Sequence, residues 1–580
     1  MRIVRIGIVA ILAIATTLAF VATHAEKKLI QTTERIFPRD FRLPMDIPVA
    51  ISGTFGELRP NHFHTGLDFK TNQREGYPVH AVADGYVSRL RVQIGGFGNA
   101  IYINHPNGYT TVYAHLQRYS PRIAHFVKTA QYSRESFEVD FNPLPIEIPV
   151  KKGEIIGYSG NSGSSQGAHL HFETRDSKTE EAFNPQLFGF PIADTKAPFI
   201  KGLYVYPMND SSSVNGSNIR TSFALAPIGS GKYSVSKAVK VNVNGDIAFG
   251  IAADDMLNGA GNRNGIYSIE LKKDGQTVIK TVFESLNFNL QRDVNSYIDF
   301  NAYQTGRTYI QKSFIDPGNR LEIYKTNVNR GIITFEDNAP HQMEYIVKDA
   351  AGNTSTLTFT VNSTPTKKVY SHYVNPSAIP FYWNKVNRFS NQSIIATFPT
   401  GCFYNNFNFE YSSSRKVFGA YSDIHTLHNK YTPIAEPFIL QIKPDADLTQ
   451  FDKAVIVNDK RTYQGGTYEN GFVKAELKSF GSFYITIDTT APRIVPLNIM
   501  NGKNMSGTAS VSFRISDNLS GIKEFRGLID DHWVLFEMDG KSGVLKHTFD
   551  ERTGPGNHTL QLTVTDIKNN SSVYNAEFSR

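Results

Sequence analysis

Short runs in which apolar and polar residues alternate, punctuated by Gly, Asn, Asp and Pro, recur along almost the whole chain. A period of two carried by β-branched and aromatic residues marks a half-buried strand, and the i, i+3, i+4 spacing of an amphipathic helix is nearly absent. Between residues 41 and 191 the pattern predicts strands at 77–83, 85–92, 100–105, 110–115 and 169–173. Residues 119–144 break it with mixed charge and aromatics, and are expected to form an inserted loop or small subdomain, often a lid or a partner surface. The fold class reads as all-β.

The first residues follow another pattern. Arg2 and Arg5 precede an uncharged apolar run over 6–22, and Thr23-His24-Ala25 supplies small residues before a cut, so residues 1–25 are expected to be a signal peptide. The run is long for a signal core, which leaves an uncleaved N-terminal anchor as the alternative. Either way the rest of the chain is expected to be exported, to the periplasm, the cell envelope or the exterior. No second run predicts a membrane span, so a channel or transporter is not indicated.

Farther along, punctuation repeats. Asp194-Thr195-Lys196-Ala197-Pro198 returns as Asp488-Thr489-Thr490-Ala491-Pro492, and two domains are expected to begin there. Asp254-Asp255 and Asp517-Asn518 each precede a strand-like run, and the turns Asp349-Ala350-Ala351-Gly352-Asn353 and Asp566-Ile567-Lys568-Asn569-Asn570 close the two segments. Strands alternating with such turns predict β-sandwiches, and these segments resemble bacterial immunoglobulin-like domains, whose late strands often carry a D-x-x-G-N turn. The expected division is a strand-rich unit at 26–192, sandwiches at 193–365 and 488–580, and a sandwich of uncertain type at 366–487. The Asp254 and Asp517 clusters suit calcium in their oxygen ligands, although Asp and Asn also stabilise turns without any ion.

Composition sharpens this. A chain of 580 residues holds roughly four domains at about 150 residues each. Apolar residues make up 40%, and 60 basic groups nearly balance 53 acidic ones, which argues against disorder. The net charge of +7 is mild and contains no basic block, so nucleic-acid binding is not indicated, and attraction to an anionic polymer surface would be weak. The single cysteine, Cys402, excludes an internal disulfide and a cysteine-based zinc cluster, and reads as a small buried hydrophobe.

The chemistry concentrates near the front. His64-Thr65-Gly66-Leu67-Asp68 sets an imidazole and a carboxylate four apart, with Gly66 favouring an irregular turn into a strand over a helix face. His169-Leu170-His171 sets two imidazoles two apart, on one side of a strand. Two His and one carboxylate form a recognised zinc set that leaves a position open for water. Phe63, Leu67, Phe69 and Phe172 are expected to give the ligands a dry surround. A lone His in such a chain would be a core or surface residue. Three motifs in one strand-rich unit point to a site.

HTGLD at 64–68, YAHL at 113–116 and GAHLHFE at 167–173 resemble the LytM/lysostaphin-type zinc endopeptidases that cut peptidoglycan peptides. The flanking VHAVADGYV (79–87), FGNAIYINHPNG (97–108) and KKGEIIGYSGNSG (151–163) fall in the same order. The resemblance covers about 51–173, one fifth of the chain, and makes 26–192 the metallopeptidase domain, a small antiparallel sheet, with an insertion at 119–144. It implies His64, Asp68 and His171 as zinc ligands, and His115 and His169 as catalytic residues that orient or deprotonate water and stabilise the oxyanion. It gives no role to His62. The segment before HTGLD is short, with Arg59 and Asn61 left as groove residues.

Two functions follow from the resemblance. One is a secreted zinc endopeptidase acting on peptidoglycan stems or crossbridges. The other is a non-enzymatic wall-binding activator of other hydrolases, a role that usually accompanies eroded ligands, whereas all five positions are intact here. The sandwiches are expected either to bind a wall or protein ligand or simply to space the enzyme from its surface, since a fold of this kind does not imply a ligand.

Overall fold

The computed structural model describes residues 36–236, 239–259, 261–365, 368–371, 373 and 375–580, so the expected export segment at 1–25 lies outside the described residues. All described helices and strands fall in the compact unit Phe41–Arg580. The architecture is almost entirely β, and among the described residues no helix is long and apolar enough to cross a membrane.

The first sheet runs in the order Ile51–Gly53, Leu67–Lys70, His169–Asp176, Tyr109–Leu116, Asn99–Asn104, Gly85–Val92, Val139–Phe141. Its central strand Tyr109–Leu116 is buried on both faces from Thr110 onward, Thr110, Thr111 and His115 included. Antiparallel register sets His171 opposite Asp68 on one side and Ala114 on the other.

The stretch at 119–144, read as a loop or small subdomain, contains a fourteen-residue helix, Pro121–Arg134. Pro121 opens it, where a missing N–H costs nothing, and Glu135 ends it in a left-handed cap. Ile123, Val127 and Gln131, four apart, form its buried stripe. This stripe is too narrow to give a clear helical period.

Three further regions are built from paired sheets. In the first, Pro340–Lys348 and Thr354–Ser363 alternate in and out cleanly, so that Met343, Tyr345, Val347, Leu357, Phe359 and Val361 share one core. Residues 378–488 form five- and four-stranded sheets around a core that contains Cys402, fully buried with Sγ 3.1 Å from the Glu436 carbonyl. Burial, together with the nearby Glu436 charge, pushes that thiol up to about 12. The last region has four- and five-stranded sheets, including Ser510–Ser516 and Asn557–Asp566.

One excursion departs from the sandwich pattern expected at 193–365. Ser285–Leu286 pairs with Ala182–Phe183 at the margin of the first sheet, and the short helices Phe288–Asp293, Val294–Tyr297 and Phe300–Gly306 follow. Val294, Tyr297 and Phe283 pack with Phe55 and Phe63 from the segment just before Asp68. This aromatic-rich stretch is buried against the front unit, which explains why it lacks the alternation of a strand.

The last region docks on the helix Pro121–Arg134. Lys128 Nζ lies 2.7 Å from Asp550 Oδ2, Tyr132 and Trp533 meet edge to face at 5.0 Å, and Arg552 stands 4.0 Å over the Tyr132 ring.

Candidate metal centre

The strand Leu67–Lys70 is entered through Gly66, where a Cβ would stand 2.3 Å from the Phe172 carbonyl oxygen. Only glycine lets the turn approach the neighbouring strand so closely. That approach brings His64 beside Asp68 and His171. His64 Nε2 lies 3.0 Å from Asp68 Oδ1 and 3.0 Å from His171 Nδ1, and His171 Nδ1 lies 2.9 Å from Asp68 Oδ1. All three residues are buried.

The far side of each donor is fixed. His64 Nδ1 donates to the Thr54 carbonyl at 2.9 Å, and His171 Nε2 donates to Glu173 Oε1 at 2.9 Å. Arg59 Nη2 donates to Asp68 Oδ2 at 2.8 Å, which leaves Oδ1 for the centre. Glu173 is fully buried and held by Arg175 Nε at 2.7 Å and by the Thr65 hydroxyl. Such partners fix ring orientation and tautomer in metal sites.

The charges agree with this design. Burial and Asp68 pull His64 in opposite directions, and burial wins, lowering it. Burial also works against the charged form of His171, but hydrogen bonds to Asp68 and Glu173 raise it to about 9. Asp68 sits well below the usual carboxylate range: burial opposes this, but His64 and the hydrogen bonds from His169 and His171 prevail. Glu173 is likewise held at about 2 against its burial, chiefly by Arg175. Two imidazole nitrogens and one carboxylate oxygen, all within 3.0 Å of one another and braced from behind, fit a small divalent cation.

His115 and His169 stand beside the trio. His115 has φ 58°, in the left-handed region, a departure that costs roughly 1–2 kcal/mol in a non-glycine residue and often marks function. Its N–H donates to the Phe97 carbonyl and its Nδ1 to the Ser162 carbonyl, both at 2.9 Å. Burial, then His171 and His169, push it down to about 3. His169 donates from Nδ1 to the Gly167 carbonyl at 2.8 Å, with Ser165 Oγ 3.2 Å away, and its Nε2 lies 3.4 Å from Asp68 Oδ1. The two rings are 4.9 Å apart. His115 is left with Nε2 as an acceptor, whereas His169 turns Nε2 toward Asp68 Oδ1.

A groove of about 1090 Å³ runs over these five residues, with Arg59, His62, Phe97 and Gln166 along its walls. His62 is exposed at the rim, its Nδ1 on the Pro60 carbonyl at 2.9 Å, and is not part of the trio. Asn61 accepts from Asn295 Nδ2 at 3.0 Å and so braces the helical excursion, not the groove. Phe63 packs against Phe283 and Tyr297, and the ring stacked on His171, at 5.2 Å, is Phe97. Glu173 and Arg175 were assigned no role from sequence, although His169, His171, Glu173 and Arg175 share one face of a single strand by their spacing of two.

The trio is carried on the sheet at the floor of an open groove, and the comparisons with known proteins find similar sequences among peptidases. Residues 62–132 match the family model described as Peptidase family M23, and residues 378–488 match that of the Zu5-like domain. The chain is 38% identical over 140 residues to the DD-carboxypeptidase/endopeptidase Mpg of Neisseria meningitidis serogroup B, covering 23% of this chain and 26% of that protein. It is 34% identical over 110 residues to the peptidoglycan DD-endopeptidase ShyC of Vibrio cholerae, 19% of each. The chain thus spans about a quarter or less of the length of these curated relatives. Among solved structures, a zinc containing peptidase from Vibrio cholerae is 28% identical, covering 25% of this chain and 38% of that one, with a TM-score of 0.18.

Proposed function

We propose that the protein is an exported zinc endopeptidase that hydrolyses peptide bonds of peptidoglycan in the cell envelope. The observation that carries this reading is the braced trio of His64, Asp68 and His171, with donor atoms 2.9–3.0 Å apart, on the floor of a groove beside His115 and His169. The names of the relatives support the substrate class.

His64 Nε2, Asp68 Oδ1 and His171 Nδ1 would hold the zinc, which when bound supplies Lewis acidity and an activated water near neutral pH. His115, kept neutral and with Nδ1 fixed on the Ser162 carbonyl, offers Nε2 to take a proton from the attacking water. His169 offers Nε2 from the opposite side, and either ring, once protonated, can hydrogen-bond the oxygen that gains charge and pass a proton to the leaving amine. Arg59 keeps Asp68 oriented and half neutralised. Phe97 shields one face of His171 from water.

In this reading the front unit at 26–192 is the peptidase domain, and the immunoglobulin-like regions at 193–365 and 488–580 flank the Zu5-like one. The test is digestion of defined peptidoglycan by the full chain loaded with zinc, with mass analysis of the fragments. Release of peptides by the native chain, lost in His115→Ala at unchanged zinc content, is the expected result. No release from any crosslink type, or equal release by His115→Ala, would overturn it.

A further inference from the structure

Two carboxylate clusters outside the groove repeat the same three aspartates and the same bracing asparagine. Asp194, Asp255 and Asp349 bring one oxygen each to within 4.8 Å of one another, and so do Asp488, Asp517 and Asp566. In each cluster the aspartate of the closing turn is braced by the asparagine four residues on. Asn353 donates its amide N–H to Asp349 Oδ1 and its Nδ2 to Oδ2, at 2.9 and 2.8 Å, and Asn570 does the same for Asp566 at 2.8 and 2.7 Å. The same Nδ2 reaches the main-chain carbonyl of the linker aspartate, Asp194 at 3.2 Å and Asp488 at 2.9 Å.

These carboxylates feel the charges of Lys196 and Lys568 only from a distance. Among the described residues no Lys, Arg or His nitrogen lies within ion-pair distance of any of the six. Lys196 and Lys568, the neighbouring cations, place Nζ on the carbonyls of Leu257 and Gly466 at 3.2 and 3.0 Å. Asp254 is excluded from the cluster because it faces the other side of its strand, where it pairs with Lys201 and Arg263.

A second observation points to a ligand. Asp255 Oδ1 and Asp488 Oδ1 have no hydrogen-bond partner although the residues are only 3% and 1% exposed, and Asp194 Oδ2 and Asp517 Oδ1 are unpartnered as well. Ser520, 3% exposed, gives its amide N–H to Asp488 Oδ2 yet leaves its hydroxyl oxygen with no partner. Buried oxygens of this kind cost free energy unless something positive meets them.

We infer that each cluster is a binding site for one hard divalent cation, calcium in preference to zinc, clamping a linker aspartate to two turns of the sandwich that follows it. An all-oxygen set without a nitrogen donor selects calcium, magnesium or manganese, and carboxylates supplied by a linker and two turns suit the adaptable oxygen cage of calcium better than the tight octahedron of magnesium. Because Asp194 and Asp488 begin the segments that join successive regions, the cation would fix the angle between them.

The test is calorimetric titration of the full chain with calcium after treatment with EGTA, with zinc content checked in the same samples. Thermal unfolding is followed with and without millimolar calcium. The expected result is two calcium ions per chain, one in Asp255→Asn, one in Asp566→Asn and none in the double variant, with unfolding shifted up by several degrees in the native chain only where sites remain. Ser520→Ala, which leaves every carboxylate in place, should weaken the second site alone. Absence of calcium binding by the native chain, or equal binding by the double variant once it is shown to be folded, would overturn the inference. So would a preference for magnesium at equal concentration.

Discussion

The histidine trio at the front is fully buried, the aspartate clusters behind it each keep one half-buried member, and the two kinds of group differ in what stands at their backs. Every donor of the trio is held from behind: His64 by the Thr54 carbonyl, Asp68 by Arg59, His171 by Glu173. In the clusters only Asp349 and Asp566 are held by a side chain, Asp194, Asp488 and Asp517 take main-chain N–H groups on one oxygen, and a second oxygen of each of these is left without a partner. Braced imidazoles fix a small cation rigidly while one side stays open to the groove, an arrangement for chemistry. Carboxylates that keep free oxygens and are tied to linkers suit a cation whose work is to hold the chain in place.

The largest effect expected is at the trio. His171→Ala should release the zinc and abolish peptide release, a loss of at least about 10⁴-fold, as expected when zinc-activated water is removed. Calcium binding by the clusters should be unchanged, since none of their contacts involves this strand. Metal analysis beside a turnover assay checks both. Loss of calcium in the same variant would mean that the two regions are not separate.

Next come the flanking rings. His115→Ala and His169→Ala should each lower turnover by about 10²–10⁴-fold with zinc content intact, the range for loss of a general acid or base. A variant that lost its zinc would move that histidine from the flank into the trio. Lys541 lies on this margin. Its Nζ contacts the carbonyls of Asn161 and Ser165, in the loop that orients both rings, so the last sandwich touches the rim of the groove.

How far this contrast was legible in the sequence depends on spacing. His169 and His171, two apart, declared a shared strand face, and the same rule extended to Glu173 and Arg175, whose support of the site was there to be read. Asp255 hid behind Asp254, since both fit a turn cluster and only the strand register separates them. The helix Pro121–Arg134 was obscured because its buried stripe is a single row. The excursion at 283–306 was obscured because its aromatics pack against a distant segment, which no local period reports.

A smaller effect belongs to the support of the trio. Glu173→Gln keeps the shape but removes the charge that steadies His171 Nε2–H and pairs with Arg175. Zinc affinity should fall about 10–100-fold, the cost typical of a lost partner behind a metal-bound histidine, with turnover recovered at high zinc. Competition with a zinc-chelating dye measures it. No change in affinity would show that the fold alone, without Glu173, orients the ring.

The smallest effect separates the two regions by the sign of their pH dependence when both are free of cations. Burial, aided by the neighbouring carboxylates, pushes Asp255 up to about 7, and burial raises Asp194 to about 6. A carboxyl raised on folding contributes stability that is complete below its unfolded value near 3.9 and is lost as pH climbs through the raised one. The sandwich at 193–365 should therefore unfold more easily as pH rises from about 4 to 7, by a few degrees on the scale of about 2–4 °C per kcal/mol for a region of this size. In the trio, Asp68 and Glu173 are depressed and His171 is raised to about 9, so their pairing is complete between roughly pH 4.5 and 6.5 and fades only outside that window. Scanning calorimetry in chelator at pH 4.5 and pH 6.5 should show one transition moving down while the pairing of the trio stays complete, and calcium should cancel the shift. A transition that does not move would mean that the aspartate clusters keep their protons at neither pH, and that the repulsion expected from their burial is relieved by water.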